Sequence, residues 1–120
     1  MEKKNLDWKH IGFAYHTTDY RYVADYKDGK WQEGYLSDSP TVVLNECAGI
    51  LQYCQEVFEG LKAYETADGR IVTFRSDLNA DRMYHSAERM EMPPFPKERF
   101  IEAVEKVVKA NEAWVPPYGS

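Results

Sequence analysis

Gln55-Glu56-Val57-Phe58-Glu59-Gly60-Leu61-Lys62-Ala63-Tyr64 is the stretch around which the rest of the chain is organised. It reads as irregular backbone running into a strand. From Phe58 the side chains alternate, with Phe58, Gly60, Lys62 and Tyr64 on one face and Glu59, Leu61 and Ala63 on the other. A glycine inside such a strand marks a bulge or admits something close to the backbone, because it has no side chain to hold a neighbour away.

Working outward, Thr66-Ala67-Asp68-Gly69-Arg70 is a hairpin signal that returns the strand into Ile71-Val72-Thr73-Phe74. Upstream, Lys27-Asp28-Gly29-Lys30 lies between the aromatic run Tyr20 to Tyr26 and Trp31, and Asp-Gly supplies the positive φ a tight turn needs. Leu6 to Asp19 mixes polar and aromatic residues without a helical period and is expected to be an extended arm carrying Phe13 and Tyr15. Ser37 to Asn45 reads as loop around Pro40, and Ala48 to Tyr53 as a short helix.

Two helices follow the second hairpin. The first is expected to be capped by Ser76 or Asp77 and to run to about Met90, stopped by Pro93-Pro94, with Ala80, Met83, Ala87 and Met90 along its buried stripe. The second starts near Pro96 or Lys97 and aligns Phe100, Val104, Val107, Val108, Asn111 and Trp114 on one side. The sum is an α+β domain, a small antiparallel sheet with hairpins packed against two or more helices. Residues 1-115 are read as this domain, and 116–120, rich in proline and glycine, as the start of a linker.

A chain of 120 residues makes one domain, small for an enzyme that must enclose an organic cofactor. Twenty acidic against fifteen basic residues give no basic patch for nucleic acid or an anionic membrane. The charged start, Met1 to Asp7, lacks the apolar run of a secretory signal, and no apolar run reaches the length of a membrane span, so cytoplasmic residence is expected. Cys47 and Cys54 have the wrong number and spacing for a zinc site or a redox pair and are read as partly buried free thiols. His10, His16 and His85 are scattered and suggest no metal site.

With Leu51-Gln52-Tyr53 before the Phe-Glu-Gly block and Phe74-Arg75-Ser76-Asp77-Leu78-Asn79-Ala80-Asp81-Arg82 after it, the chain resembles the amino-terminal domain of branched-chain amino acid aminotransferases, pyridoxal-phosphate enzymes of fold type IV. The likeness runs from Leu6 to Gly119 and includes Phe13, Ser86-Ala87-Glu88-Arg89-Met90, Pro93-Pro94 and Trp114-Val115-Pro116-Pro117. It implies transfer of the amino group of leucine, isoleucine or valine to 2-oxoglutarate, pyridoxal 5'-phosphate as cofactor, a homodimer or higher oligomer, and a carboxy-terminal catalytic domain beyond these residues. Two alternatives stand beside it: a relative acting on D-amino acids or aminodeoxychorismate, and a stand-alone, non-enzymatic dimerisation module.

A pyridoxal phosphate site needs a lysine amine, cations and amides for the phosphate, and an acid near the pyridine nitrogen. Arg75, Arg82 and Arg89 are all candidates for the phosphate, and their seven-residue spacing puts them at similar azimuths, so geometry does not choose among them. The resemblance does, because the family's phosphate-binding arginine aligns with Arg82. The bland reading is a surface arginine paired with Asp81 or Glu88. Phe13, Tyr53 and Phe58 match aromatics that shape the family's substrate pocket, Tyr53 serving a partner subunit. Against that, each ring could simply be core or pin the arm. The sequence departs from the family in having Gln52 where histidine is common and Cys54 where glycine is common. Lys62 matches a non-catalytic strand position. The catalytic lysine and the pyridine-nitrogen glutamate of the family lie past Ser120, so no catalytic residue is assigned here, and these residues alone are expected to be inactive and to expose an apolar surface that favours self-association.

Overall fold

The computed structural model describes all 120 residues. In chain order it contains β1 (Arg21–Val23), β2 (Tyr26–Lys27), β3 (Lys30–Trp31), β4 (Tyr35–Ser37), α1 (Gly49–Tyr53), β5 (Ala63–Glu65), β6 (Ile71–Thr73), α2 (Ser76–Arg89) and α3 (Lys97–Ala110), with short 3-10 turns at Trp8–His10 and Glu112–Trp114. The class is α+β, as expected. The strands are distributed over three antiparallel pairs, β1 with β4, β2 with β3 and β5 with β6.

Both hairpin signals hold. Asp28 and Gly29 take φ values of 53° and 76°, the two positive values of a tight turn, and set Lys27 opposite Lys30 and Tyr26 opposite Trp31. The Tyr20 to Tyr26 run divides between two pairs, because β2 turns back on β3 at once while β1 waits for β4. Trp31 then pins this hairpin to the connection between α2 and α3: its indole Nε1 donates to the Pro94 carbonyl at 2.9 Å and its ring meets Phe95 edge-on, with centroids 4.9 Å apart.

The central stretch differs from its sequence reading. Regular strand begins only at Ala63, and Phe58 to Lys62 has no ladder. The partner explains this. With Ala63 opposite Thr73, the next pairings upstream would engage Phe74 and then Arg75, and Arg75 has already turned into the left-handed region, φ 49°, to start α2. The alternation survives without the ladder: Phe58, Gly60, Lys62 and Tyr64 are exposed, while Val57, Glu59, Leu61 and Ala63 are partly covered.

The start of α2 is a second correction. Neither Ser76 nor Asp77 caps it. The cap position is Arg75, whose guanidinium grips the Asp77 carboxylate at 2.9 and 3.0 Å. Pro96 precedes α3 as the sequence suggests. The helices pack on each other through small residues, with Ala80, Ala87 and Ala103 buried, and α3 also meets β1. The arm of residues 6–19 is stitched down at its root, where the Lys4 amide donates to the Ala113 carbonyl, while 12–20 is exposed. Cys47 and Cys54 are exposed, not partly buried.

The core is thin. Only four residues are buried, the fourth being Val115. The surface measures 9284 Å², against roughly 6,700 Å² for a compact monomer of this mass. The radius of gyration is 16.0 Å, where about 14 Å is usual for this length. A cleft of about 1590 Å³ runs between the arm, β5 and the apolar side of α3. No helix is long and apolar enough to cross a membrane.

Candidate functional site

Arg82 lies on α2, at the edge of a depression of about 560 Å³ that it shares with Phe58 and Arg89. Val57, His85, Ser86 and Met90 complete the lining. Two turns of helix separate Arg82 from Arg89, so their spacing carries both to the same face. Arg75 is held apart by Asp77 at the helix start. Of the three arginines that spacing left open, the fold therefore brings two to one depression.

The partner of Arg82 is neither Asp81 nor Glu88. Asp81 binds Lys97 at 2.7 Å, and Glu88 binds the His85 ring at 3.0 Å. Arg82 instead reaches Glu59 on the central stretch: Nε donates to Oε2 at 2.7 Å and Nη2 donates to Oε1. These bonds leave Nη1 without a partner in the chain. Glu59 is also held by Asn79, whose Nδ2 donates to Oε1 at 2.8 Å, and by the Gly60 amide at 3.2 Å. The carboxylate is covered, 2% exposed, while the guanidinium above it is 68% exposed.

That arrangement fixes the charge on Glu59. Hydrogen bonding from Arg82 first, with Asn79 and the Gly60 amide adding to it, holds the carboxyl at about 2, below its ordinary 4.5, against an opposing effect of burial. The Arg82 guanidinium is stabilised in its charged form by the same contact. Sequence reasoning missed Glu59. The signal was present in the alternation, which places a carboxylate on the covered face, where an ionised group requires a partner.

The glycine of the block has a visible reason. A Cβ on Gly60 would stand 3.2 Å from Cζ of Phe58, so the Phe58 ring lies against that backbone position. On the other side the Gly60 carbonyl accepts from Asn79 at 3.0 Å. The remaining sequence-derived residues are dispersed. Phe13 is exposed on the wall of the larger cleft, together with Lys62, Tyr64 and Trp114. Tyr53 is exposed at the end of α1 and lines neither concavity. Next to it, Cys54 has φ 51° and ψ 34°, the left-handed conformation for which glycine is suited.

No family model matches the chain. Over 117 residues, 98% of its length, it is 50% identical to a branched-chain-amino-acid aminotransferase of Haemophilus influenzae, of which it covers 34%. It is 44% identical over 117 residues to a branched-chain-amino-acid aminotransferase of Helicobacter pylori, with the same coverage of both chains. A methionine aminotransferase of Arabidopsis thaliana is 43% identical over 116 residues, which are 96% of this chain and 33% of the relative. The chain thus spans about a third of the length of the curated relatives it matches. By this similarity the chain matches the amino-terminal region of branched-chain-amino-acid aminotransferases.

Proposed function

We propose that this chain supplies the amino-terminal region of a pyridoxal 5'-phosphate-dependent aminotransferase that moves the amino group of leucine, isoleucine or valine to 2-oxoglutarate. The observation that carries the proposal is 50% identity over 98% of the chain to a protein of that name. On this reading residues 1-115 form the small domain and 116–120 lead towards the remaining two thirds found in the relatives. The complete protein is a homodimer or higher oligomer, resident in the cytoplasm.

The depression suits an anionic group. A phosphate carries close to two negative charges, and Arg82 offers unengaged Nη1 donors on a guanidinium already fixed along its other edge. Arg89 and Ser86 add a cation and a hydroxyl to the same wall. When bound, the cofactor supplies an electron sink for exchanging an amino group between an amino acid and a 2-oxo acid. The part of this chain is to grip and orient. Arg82 holds the phosphate end, and Phe58 presents an apolar ring beside it to wall the substrate side chain and displace water. Phe13 and Tyr53, on separate surfaces here, complete that wall once the rest of the protein and a partner subunit approach. No residue of this chain is assigned to proton transfer, and Lys62 is not the catalytic amine.

Arg82→Ala in the complete protein tests the assignment. Cofactor affinity is expected to fall by roughly tenfold or more, from the loss of a charge-assisted contact, and unchanged affinity removes Arg82 from the site. The 120 residues alone are expected to show no transamination. The methionine aminotransferase among the relatives makes L-methionine the informative competitor. Apolar walls separate side chains of similar size only modestly, so turnover of L-leucine above L-methionine, and of both far above D-alanine, is expected. Preference for D-alanine would overturn the branched-chain reading.

A further inference from the structure

The Glu59–Arg82 pair has a geometry that charge neutralisation alone does not require. A surface ion pair is ordinarily loose, since two flexible side chains gain little by holding one arrangement. Here the carboxylate is locked first. Its Oε1 accepts from Arg82 Nη2, Asn79 Nδ2 and the Gly60 amide, and its Oε2 from Arg82 Nε. Asn79 is itself tied to the Gly60 carbonyl at 3.0 Å and lies one helical turn before Arg82 on α2. A carboxylate bonded through both oxygens, with its side chain 2% exposed, is held in one orientation. The planar guanidinium bonded to it side-on inherits that orientation.

We propose that Glu59 is a positioning residue of the anion site: with Asn79 behind it, it fixes the Nε–Nη2 edge of Arg82 so that the Nη1 end is presented to a phosphate group. This rests on the reading of Arg82 as a phosphate contact. The position of Glu59 in the chain supports it, because Phe58 on one side and Gly60 on the other tie the same backbone to the aromatic wall of the depression. The phosphate grip and the aromatic ring thus sit on neighbouring residues of one backbone segment. The carboxyl, held at about 2, stays ionised through the second ionisation of a phosphate group, at about 6, so the clamp does not loosen as the anion gains its second charge.

A competing role is that Glu59 merely neutralises Arg82, and the two roles predict opposite signs. A carboxylate that only repels an incoming anion would, on becoming an amide, let phosphate bind more tightly. A carboxylate that positions would let it bind more weakly. The probe is inorganic phosphate titrated into the isotope-labelled chain, followed by the Arg82 Nε–H resonance and by the fold-change in Kd. For Glu59→Gln the expected result is about tenfold weaker binding, with an Arg82 resonance that has lost its dispersed position. Asn79→Ala changes no charge and is expected to weaken binding by about threefold, and it carries the test should Glu59→Gln fail to keep its helical circular dichroism. Equal or tighter binding by both variants overturns the positioning role while leaving Arg82 in place. If the unmodified chain takes up no phosphate, or Arg82→Ala takes it up equally well, the Arg82 reading falls and the role of Glu59 falls with it.

Discussion

Cys54 is the residue whose backbone and side chain are most plainly at odds. It ends α1 in the left-handed region, where a Cβ crowds the neighbouring carbonyl at a cost of about 1 kcal/mol, and its side chain is exposed and contributes no packing that would offset it. Cys54→Gly is therefore expected to raise stability by roughly 0.5 to 1 kcal/mol, seen as a higher midpoint in thermal or denaturant unfolding. A lower midpoint would mean that the thiol makes a contact of its own. Gly60 is the converse case, a glycine kept by its neighbours and not by its φ. In Gly60→Ala the new methyl meets the Phe58 ring at 3.2 Å, and that ring is exposed and free to swing. Stability should change by no more than about 0.5 kcal/mol, while the wall of the depression between Phe58 and Arg82 shifts. Crystals of the variant would show the displaced ring.

At the level of elements, the α2–α3 contact and the Glu59–Arg82 link each lead to a measurable outcome. Ala80 and Ala87, two turns apart, are buried where the helices meet, with Ala103 of α3 also covered. Ala87→Leu must push the helices apart and should cost about 1 to 3 kcal/mol in denaturant unfolding. The link between the central stretch and α2 depends on pH. Because the Glu59 carboxyl is held at about 2 in the fold and returns to 4.5 when released, the unfolded chain binds more protons between those values. Stability from this group is thus complete above about pH 4.5 and is lost as pH falls through about 2. Glu59→Gln should flatten the stability curve across that window and cost roughly 1 to 2 kcal/mol at neutral pH, a modest figure because Arg82 is largely in water. Both helices and both hairpins were legible in the sequence because their signals are local: Asp28-Gly29, Thr66 to Gly69, Pro93-Pro94, Pro96 and the alanine stripe act on their own neighbours. What was illegible depends on residues far apart in the chain. The ladder of β5 stops short because Arg75 turns away, and Arg82 finds a carboxylate on another element while Asp81 and Glu88, close by, are taken by Lys97 and His85. Arg82 itself was singled out by resemblance, and spacing alone had left it level with Arg75 and Arg89.

Over the whole molecule the surface is the dominant feature. It is greater than that of a compact monomer by roughly 2,500 Å², and large apolar side chains contribute to it: Val42, Val43, Leu44, Leu51, Tyr53, Phe58 and Phe74 are all exposed. Two consequences can be measured on the 120 residues. Since the slope of denaturant unfolding follows the area exposed, it should be lower by about a fifth than that of a compact domain of equal length. The second is association. Burial of apolar surface is favourable by about 25 cal/mol per Å², so covering even a fraction of the excess outweighs the cost of bringing two copies together. The mass in solution is therefore expected to rise with concentration, and the unfolding midpoint with it, because folded chains that bind each other are stabilised by mass action. On the proposed reading, supplying the two thirds of the relatives' length that this chain does not span should abolish both trends by covering the same surface. A chain that stays monomeric at high concentration, with an unfolding midpoint that does not move, would show that the exposed apolar residues are not an unmet interface.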